Sequence, residues 1–244
     1  MSKKSEVILI CARGGSKGIK NKNIVNFHGK PLIAYTINLS KKILNNSQIY
    51  VSSDSQKILK ISSNYGITNL VRRNKKLALS NTPEILVWKD FIQNIPVKPD
   101  ILIVIPTTSP LRSFENVNLA ISKLKKNYDK YDTVICVTDS RKNPYFNMVK
   151  QKNKQTYKIV NKHGCYNRQS APKVYDISTV CYVVKVKKLI KKNFNSIFDG
   201  KVGAVKIPFI NSIDIDDIYD LEIAKYFFKK KEYKNEKNWK NKFI

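Results

Sequence analysis

The sequence predicts an α/β fold: a mostly parallel sheet flanked by helices, with a small insertion. Three observations lead there. Residues 7–11 (VILIC) and 101–105 (ILIVI) are unbroken apolar runs, the pattern of strands buried on both faces. Segments of strand and helix character alternate between and around them, which implies βαβ units with right-handed crossovers. The first run leads straight into a glycine-rich cationic stretch, Ala12-Arg13-Gly14-Gly15-Ser16-Lys17-Gly18-Ile19-Lys20-Asn21-Lys22-Asn23. In open α/β sheets the carboxyl ends of the strands are where ligands sit.

The elements follow in order. His28-Gly29-Lys30-Pro31 marks a turn, with Pro31 at the first position of a helix whose face is Leu32, Ile33, Ile37 and Leu39. A short strand is expected at 49–52, and Ser53-Asp54-Ser55 reads as the cap of a helix carrying Ile58, Leu59 and Ile61. Gly66 ends that helix, and a third strand follows at 67–71. Beyond a polar connection, Ile85, Leu86, Trp88, Phe91 and Ile92 give another helical face. After strand 101–105 come a helix at 115–124, strands at 133–138, 180–184 and 202–207, and a helix at 218–228 with Asp217 as N-cap. Periodicity weakens over 139–179, a flexible insertion or a small subdomain. The remainder, 1–138 with 180–228, reads as one domain, followed by a charged tail at 229–244.

Composition narrows the class. A hydrophobic fraction of 42% in 244 residues supports a full core, and no apolar run approaches the roughly 20 residues that span a bilayer. The short start before the first strand leaves no room for a secretory signal. Cys11, Cys136, Cys165 and Cys181 have no metal or C-x-x-C spacing, and three of them lie in apolar runs as small core residues. A reduced, cytoplasmic setting is expected. The formal charge of +28 invites a nucleic-acid reading, but only six of the 46 basic residues are arginine, and they are scattered. A field of this sign also attracts a nucleoside triphosphate or an acidic sugar.

Three stretches carry chemistry. In the first loop, glycines bring backbone N–H groups close to an anion, and Arg13, Lys17 and Lys22 add charge-assisted donors. Its glycines fit neither the dinucleotide fingerprint nor the Walker A pattern. The same residue types also build a solvated turn in a lysine-rich chain. The second stretch, Pro106-Thr107-Thr108-Ser109-Pro110-Leu111-Arg112, is a proline-braced loop of hydroxyl donors or an ordinary turn. In the third, Asp214-Ile215-Asp216, an extended backbone points both carboxylates to one side, and hard oxygen ligands so spaced suit Mg²⁺.

Residues 12–23 resemble the signature of the acylneuraminate cytidylyltransferases, and the likeness extends over 7–225 with four motifs in the family's order. It implies a Rossmann-like nucleotidyltransferase fold, CTP and a nine-carbon nonulosonic acid as substrates, and a CMP-sugar and pyrophosphate as products, serving surface glycans or flagellin. It makes Arg13, Gly14, Gly15, Ser16, Lys17, Lys22, Asn23 and Arg73 nucleotide-binding. Lys22, with Arg13 and Asp216, becomes catalytic, and Asp214 with Asp216 the Mg²⁺ site. Thr107, Thr108, Ser109, Arg168, Gln169 and Tyr182 fall on the sugar side. Residues 139–179 take the place of a dimerisation arm that completes the neighbouring active site, so a homodimer is expected.

Two departures bear on the sugar. Many family members have Gln where Pro106 stands, and sialic acid-specific members carry a second Arg and an Asn-Gly where this chain has Tyr175-Asp176-Ile177-Ser178-Thr179. This version resembles the branch that activates legionaminic acid, with 3-deoxy-octulosonate and pseudaminate as alternatives within the class. A basic nucleic-acid-binding protein is the alternative outside it. Neither nucleic acid nor membrane is an expected partner.

Overall fold

The computed structural model describes residues 4–161, 164–165 and 167–230. His163 and the tail beyond residue 230 lie outside the described residues. The elements are β1 (Glu6–Cys11), β2 (Asn26–Phe27), β3 (Lys30–Pro31), α1 (Leu32–Ile43), β4 (Ile49–Ser53), α2 (Gln56–Asn64), β5 (Asn69–Arg72), α3 (Glu84–Asn94), β6 (Ile101–Val104) and α4 (Phe114–Lys126). The second half adds β7 (Thr133–Asp139), β8 (Val149–Gln151), β9 (Tyr157–Ile159), β10 (Tyr175–Lys185), α5 (Val186–Leu189), β11 (Val202–Lys206) and α6 (Ile218–Lys229).

A seven-stranded sheet runs in the order β11-β7-β10-β6-β1-β4-β5. β1 pairs in parallel with β4 and β6, β4 with β5, and β7 with β11, whereas β10 is antiparallel to both of its neighbours. The two apolar runs lie side by side at its centre, Ile8 beside Ile103, which is why they carry no polar face. Their side chains alternate between two cores. Ile8, Ile10 and Ile103 meet Ile33 and Ile37 of α1, Ile58 and Leu59 of α2, and Val117 and Ile121 of α4. Leu9, Leu102 and Val104 meet Trp88, Phe91 and Ile92 of α3 on the opposite face. A third cluster joins Phe27 and Leu32 to Ile213, Ile215, Leu221 and Ala224, docking α6 and the segment before it onto the loop after β1.

Several expected boundaries move. Pro31 is the residue before α1 rather than its first helical position, because Lys30 and Pro31 pair with Asn26 and Phe27 in a small hairpin. Ser55 precedes α2 without a side-chain cap, since Ser53 Oγ accepts from Ser55 N (3.0 Å) and Asp54 turns elsewhere. Asp217 caps α6 as expected, accepting from Tyr219 N (2.8 Å) and Asp220 N (3.0 Å). β10 begins five residues before the expected start at Val180. Its register shifts between Ser178, opposite Cys136, and Tyr182, opposite Ile135. Residues 179–181 are thus extra on β10, a bulge that re-aims the side chains there. Within 139–179 the hairpin of β8 and β9 forms a separate two-stranded sheet.

Ile103 is fully buried at the middle of the sheet, so Ile103→Ala leaves a cavity that neighbouring strands cannot close. Chemical denaturation should show a loss of about 2–5 kcal/mol with an unchanged fold by circular dichroism.

Candidate active site

The carboxyl ends of β1, β5 and β6 open into a cleft of about 510 Å³. The loop after β1 supplies one wall, with Arg13, Ser16, Lys17, Gly18, Lys22 and Asn23. The loop after β6 contributes Pro106, Thr107 and Thr108, and Arg73, Glu84 and Asp216 arrive from β5, α3 and the segment before α6.

Backbone contacts hold this wall in place. A Cβ built on Gly18 would lie 2.1 Å from the carbonyl oxygen of Asp216, so no side chain fits there and the two segments meet main chain to main chain. Lys22 Nζ donates to Ile215 O (2.7 Å) and to Asp216 Oδ1 (2.9 Å), joining residues 194 positions apart. Ile215 N donates to Thr108 O (2.9 Å), tying the acidic segment to the loop after β6. Asn23 Nδ2 donates to Arg13 O (2.8 Å), and Asn23 Oδ1 accepts from the Thr107 hydroxyl. The three motifs singled out in the sequence thus form one fabric. Asn23 and Thr107, both buried, are its stitches rather than exposed ligand donors.

The expected acidic pair is arranged differently from an extended strand. Residues 213–216 are irregular, and the two carboxylates occupy unlike surroundings. Asp216 is 77% exposed and ion-paired with Lys22. Asp214 is half-buried between Ile213 and Ile215, which the third cluster anchors, and its Oδ1 is buried without a hydrogen-bond partner. Nearby, Arg112 donates through Nε to Ser109 O (2.7 Å), while Nη1 and Nη2 are buried without partners. Burial pulls the Arg112 pKa down to about 10, and the charge of Asp214 opposes the drop. A buried oxygen left unsatisfied costs free energy unless something binds it. Among the described residues no group of three or more His, Cys, Asp or Glu is arranged to hold a metal ion. A divalent cation that takes one or two carboxylates and completes its shell from phosphate oxygens and water needs no such group, and the orphaned oxygen of Asp214 fits it.

Other expected residues are placed as follows. Gly14 N donates to Asp54 Oδ1 (2.8 Å), so this amide is already taken by a carboxylate. A Cβ on Gly15 would meet nothing within 4 Å. Ser109 is fully buried and its Oγ lies 2.6 Å from Thr179 Oγ1, which brings Thr179 of the β10 bulge to the cleft in place of Ser109. Tyr182 stacks obliquely on Trp88 (centroids 5.4 Å apart), half-buried on the core face rather than lining the cleft, and burial pushes its phenol pKa up. Arg168 and Gln169 are exposed on the insertion, where Arg168 Nη2 donates to Arg141 O (3.3 Å), and they do not line this cleft. Cys11, expected in the core, is half-buried and lines the cleft at the end of β1. Cys136 and Cys181 are core residues as expected, with sulfurs 3.7 Å apart as free thiols.

Two charged residues were not singled out for the site in the sequence, Asp54 being read only as part of a helix cap. Asp54 sits in a Ser-Asp-Ser run that reads as a helix cap, and Glu84 opens a helix directly after Pro83, where acids are common for dipole reasons alone. Glu84 lines the cleft, and the protein packed around it raises its carboxyl pKa by desolvation, opposed first by Trp88 and then by Arg73.

This is the architecture of a nucleotidyltransferase: a cationic glycine loop at the end of a parallel strand, with carboxylates from far along the chain closed over it. The sequence model of the cytidylyltransferases matches residues 7–238, and the chain belongs to that family. Its type is that of the acylneuraminate cytidylyltransferases, or CMP-nonulosonate synthetases. It is 32% identical over 233 residues to the post-translational flagellin modification protein B of Campylobacter coli, covering 93% of this chain and 97% of that one. It is 31% identical over 222 residues to the CMP-N,N'-diacetyllegionaminic acid synthase of Campylobacter jejuni, covering 89% and 92%. The fold matches that of a CMP:2-keto-3-deoxy-manno-octonic acid synthetase solved with CTP, with a TM-score of 0.68 over 92% of this chain and 98% of that one at 12% identity.

Gly18→Ala forces the loop off the Asp216 carbonyl and should abolish most activity and lower the melting temperature, whereas Gly15→Ala should leave stability unchanged; calorimetry and turnover of both variants check this. Glu84 gives a second test. Its folded pKa lies above the unfolded carboxylate value of about 4.3, so stability is greatest below that value and falls as pH rises through the folded pKa. Glu84→Gln removes the titration, and its melting temperature should exceed that of the wild type at pH 8 but not at pH 4.

Proposed function

We propose that this chain couples CTP to a nonulosonic acid of the legionaminic type, releasing pyrophosphate and a CMP-sugar. The observation that carries the proposal is the Lys22–Asp216 contact, which brings the cationic loop and the acidic segment to the same cleft wall. Arg13, Lys17 and Lys22 would hold the triphosphate, with Arg73 toward the nucleoside. The anomeric hydroxyl of the sugar, giving its proton to Asp216 or to solvent, attacks the α-phosphorus. A new P–O bond forms, and the bond to the β-phosphate oxygen breaks as pyrophosphate leaves with the electron pair. Such transfers depend on positioning and charge stabilisation, and Lys22, 13% exposed at the cleft wall, would stabilise charge on the α-phosphate. Mg²⁺ held by Asp214 and Asp216 would neutralise phosphate oxygens as charge develops on them.

Thr108 and Thr179 give the cleft a hydroxyl lining beside Pro106. Hydroxyls both donate and accept, which suits a sugar bearing an additional amide. Arg168 and Gln169 would serve the cleft of a second copy, reached by the insertion, where an arginine fork suits a sugar carboxylate. Exposed Met148, Val149 and Tyr157 on that insertion are the apolar contacts a dimer would cover.

The test is pyrophosphate release with CTP, Mg²⁺ and a panel of N,N'-diacetyllegionaminic, pseudaminic, N-acetylneuraminic and 3-deoxy-octulosonic acids. The legionaminic type should turn over fastest, and a clear preference for N-acetylneuraminate overturns the sugar assignment. Lys22→Ala should slow the reaction about a hundredfold or more at saturating CTP. Asp216→Asn should remove its Mg²⁺ dependence together with most of its rate.

A further inference from the structure

The cationic loop leaves β1 at Arg13 and closes on itself at Asn23. There Asn23 Nδ2 donates to the Arg13 carbonyl oxygen across ten positions (2.8 Å), which makes a neck. The peptide unit that carries this carbonyl is held at its other end too, since Gly14 N donates to Asp54 Oδ1 (2.8 Å). A planar peptide tied at both polar groups has little freedom to rotate. On the other side of the neck, Asn21 takes left-handed backbone (φ 57°), which asparagine tolerates, and Lys22–Ile24 form a single helical turn. Lys22 therefore moves with Asn23, and the neck sets how far Lys22 stands from Arg13.

Closure depends on which way the Asn23 amide faces. Its Nδ2 must meet Arg13 O; turned over, Oδ1 would set one acceptor against another. Thr107, in the loop after β6, fixes that choice. Its hydroxyl donates to Asn23 Oδ1, and with Thr107 1% and Asn23 6% exposed the bond is shielded from solvent. Without that hydroxyl a buried amide oxygen loses its partner. We propose that Thr107 is a positioning residue of the nucleotide site, which holds Arg13 and Lys22 at the spacing a triphosphate needs by fixing the Asn23 amide. The family resemblance sets Thr107 on the sugar side, whereas this role serves the other substrate. It rests on the reading of the cleft as a CTP site.

The experiment measures KM for CTP and KM for the fastest nonulosonic acid of the panel in the wild type, Thr107→Val and Thr107→Ser. Valine keeps the shape and removes the donor, so KM for CTP should rise about tenfold or more while KM for the sugar stays within about twofold. Serine restores the hydroxyl and should return KM for CTP to within about threefold of the wild type. A rise confined to the sugar, or a serine variant no better than valine, overturns the proposal. Thr107→Ala gives the same comparison should the valine variant not fold. A second measurement is calorimetric titration with CTP and Mg²⁺ in the absence of sugar. Thr107→Val should bind about tenfold more weakly than the wild type, and equal affinities overturn the role of Thr107. CTP bound by the wild type with no pyrophosphate from any sugar overturns the reaction reading instead, and leaves this comparison standing.

Discussion

The close approach of Gly18 to the Asp216 carbonyl is the constraint on which the site depends. One partner follows β1 and the other precedes α6, so neither loop can take its shape until the sheet and α6 are in place. Side-chain pairing alone would leave that junction soft, since exposed ion pairs are weak and yield to salt. A main-chain contact with no room for a Cβ is less forgiving. The hydrogen bond from Ile215 N to Thr108 O adds a second backbone tie, and the apolar anchors Ile213 and Ile215 bury the flanks of Asp214. The charged residues of the cleft therefore rest on a frame that does not depend on their own charges.

Much of this was legible in the sequence for particular reasons. The runs at 7–11 and 101–105 announce central parallel strands because strands covered on both faces have no polar side to display. β10 was only half legible. Its first residues, Tyr175, Asp176 and Ile177, are exposed, and the extra residues at 179–181 break the alternation that marks a strand. Lys22 and Asp216 stood out because they fall in motifs with a recognisable order, and Arg73 because of where it falls in the family resemblance. Asp54 and Glu84 did not, because an acid beside a helix start looks the same whether it caps the helix or faces a loop 40 residues away. Arg168 and Gln169 stood out in the sequence, yet they lie on the insertion and away from the cleft of their own chain, a separation that no local pattern encodes.

The cleft is lined by both signs of charge. Arg13, Lys17 and Lys22 share it with Glu84, Asp216 and an arginine locked to Ser52, so a ligand entering it must match acceptors as well as donors.

The pairing of the loop's donors with the protein's own acids has a further consequence. Asp54 occupies the Gly14 amide and Asp216 occupies Lys22. In a chain of net charge +28, an uncovered cradle would draw in every small anion within reach. Here the carboxylates act as built-in competitors, and an incoming anion must outbid groups that are covalently tethered and always present. Inorganic phosphate or sulfate, offering a single anionic centre, gains little by such an exchange. Several linked phosphates can contest both positions together, so the internal pairs set the threshold that an entering anion must meet.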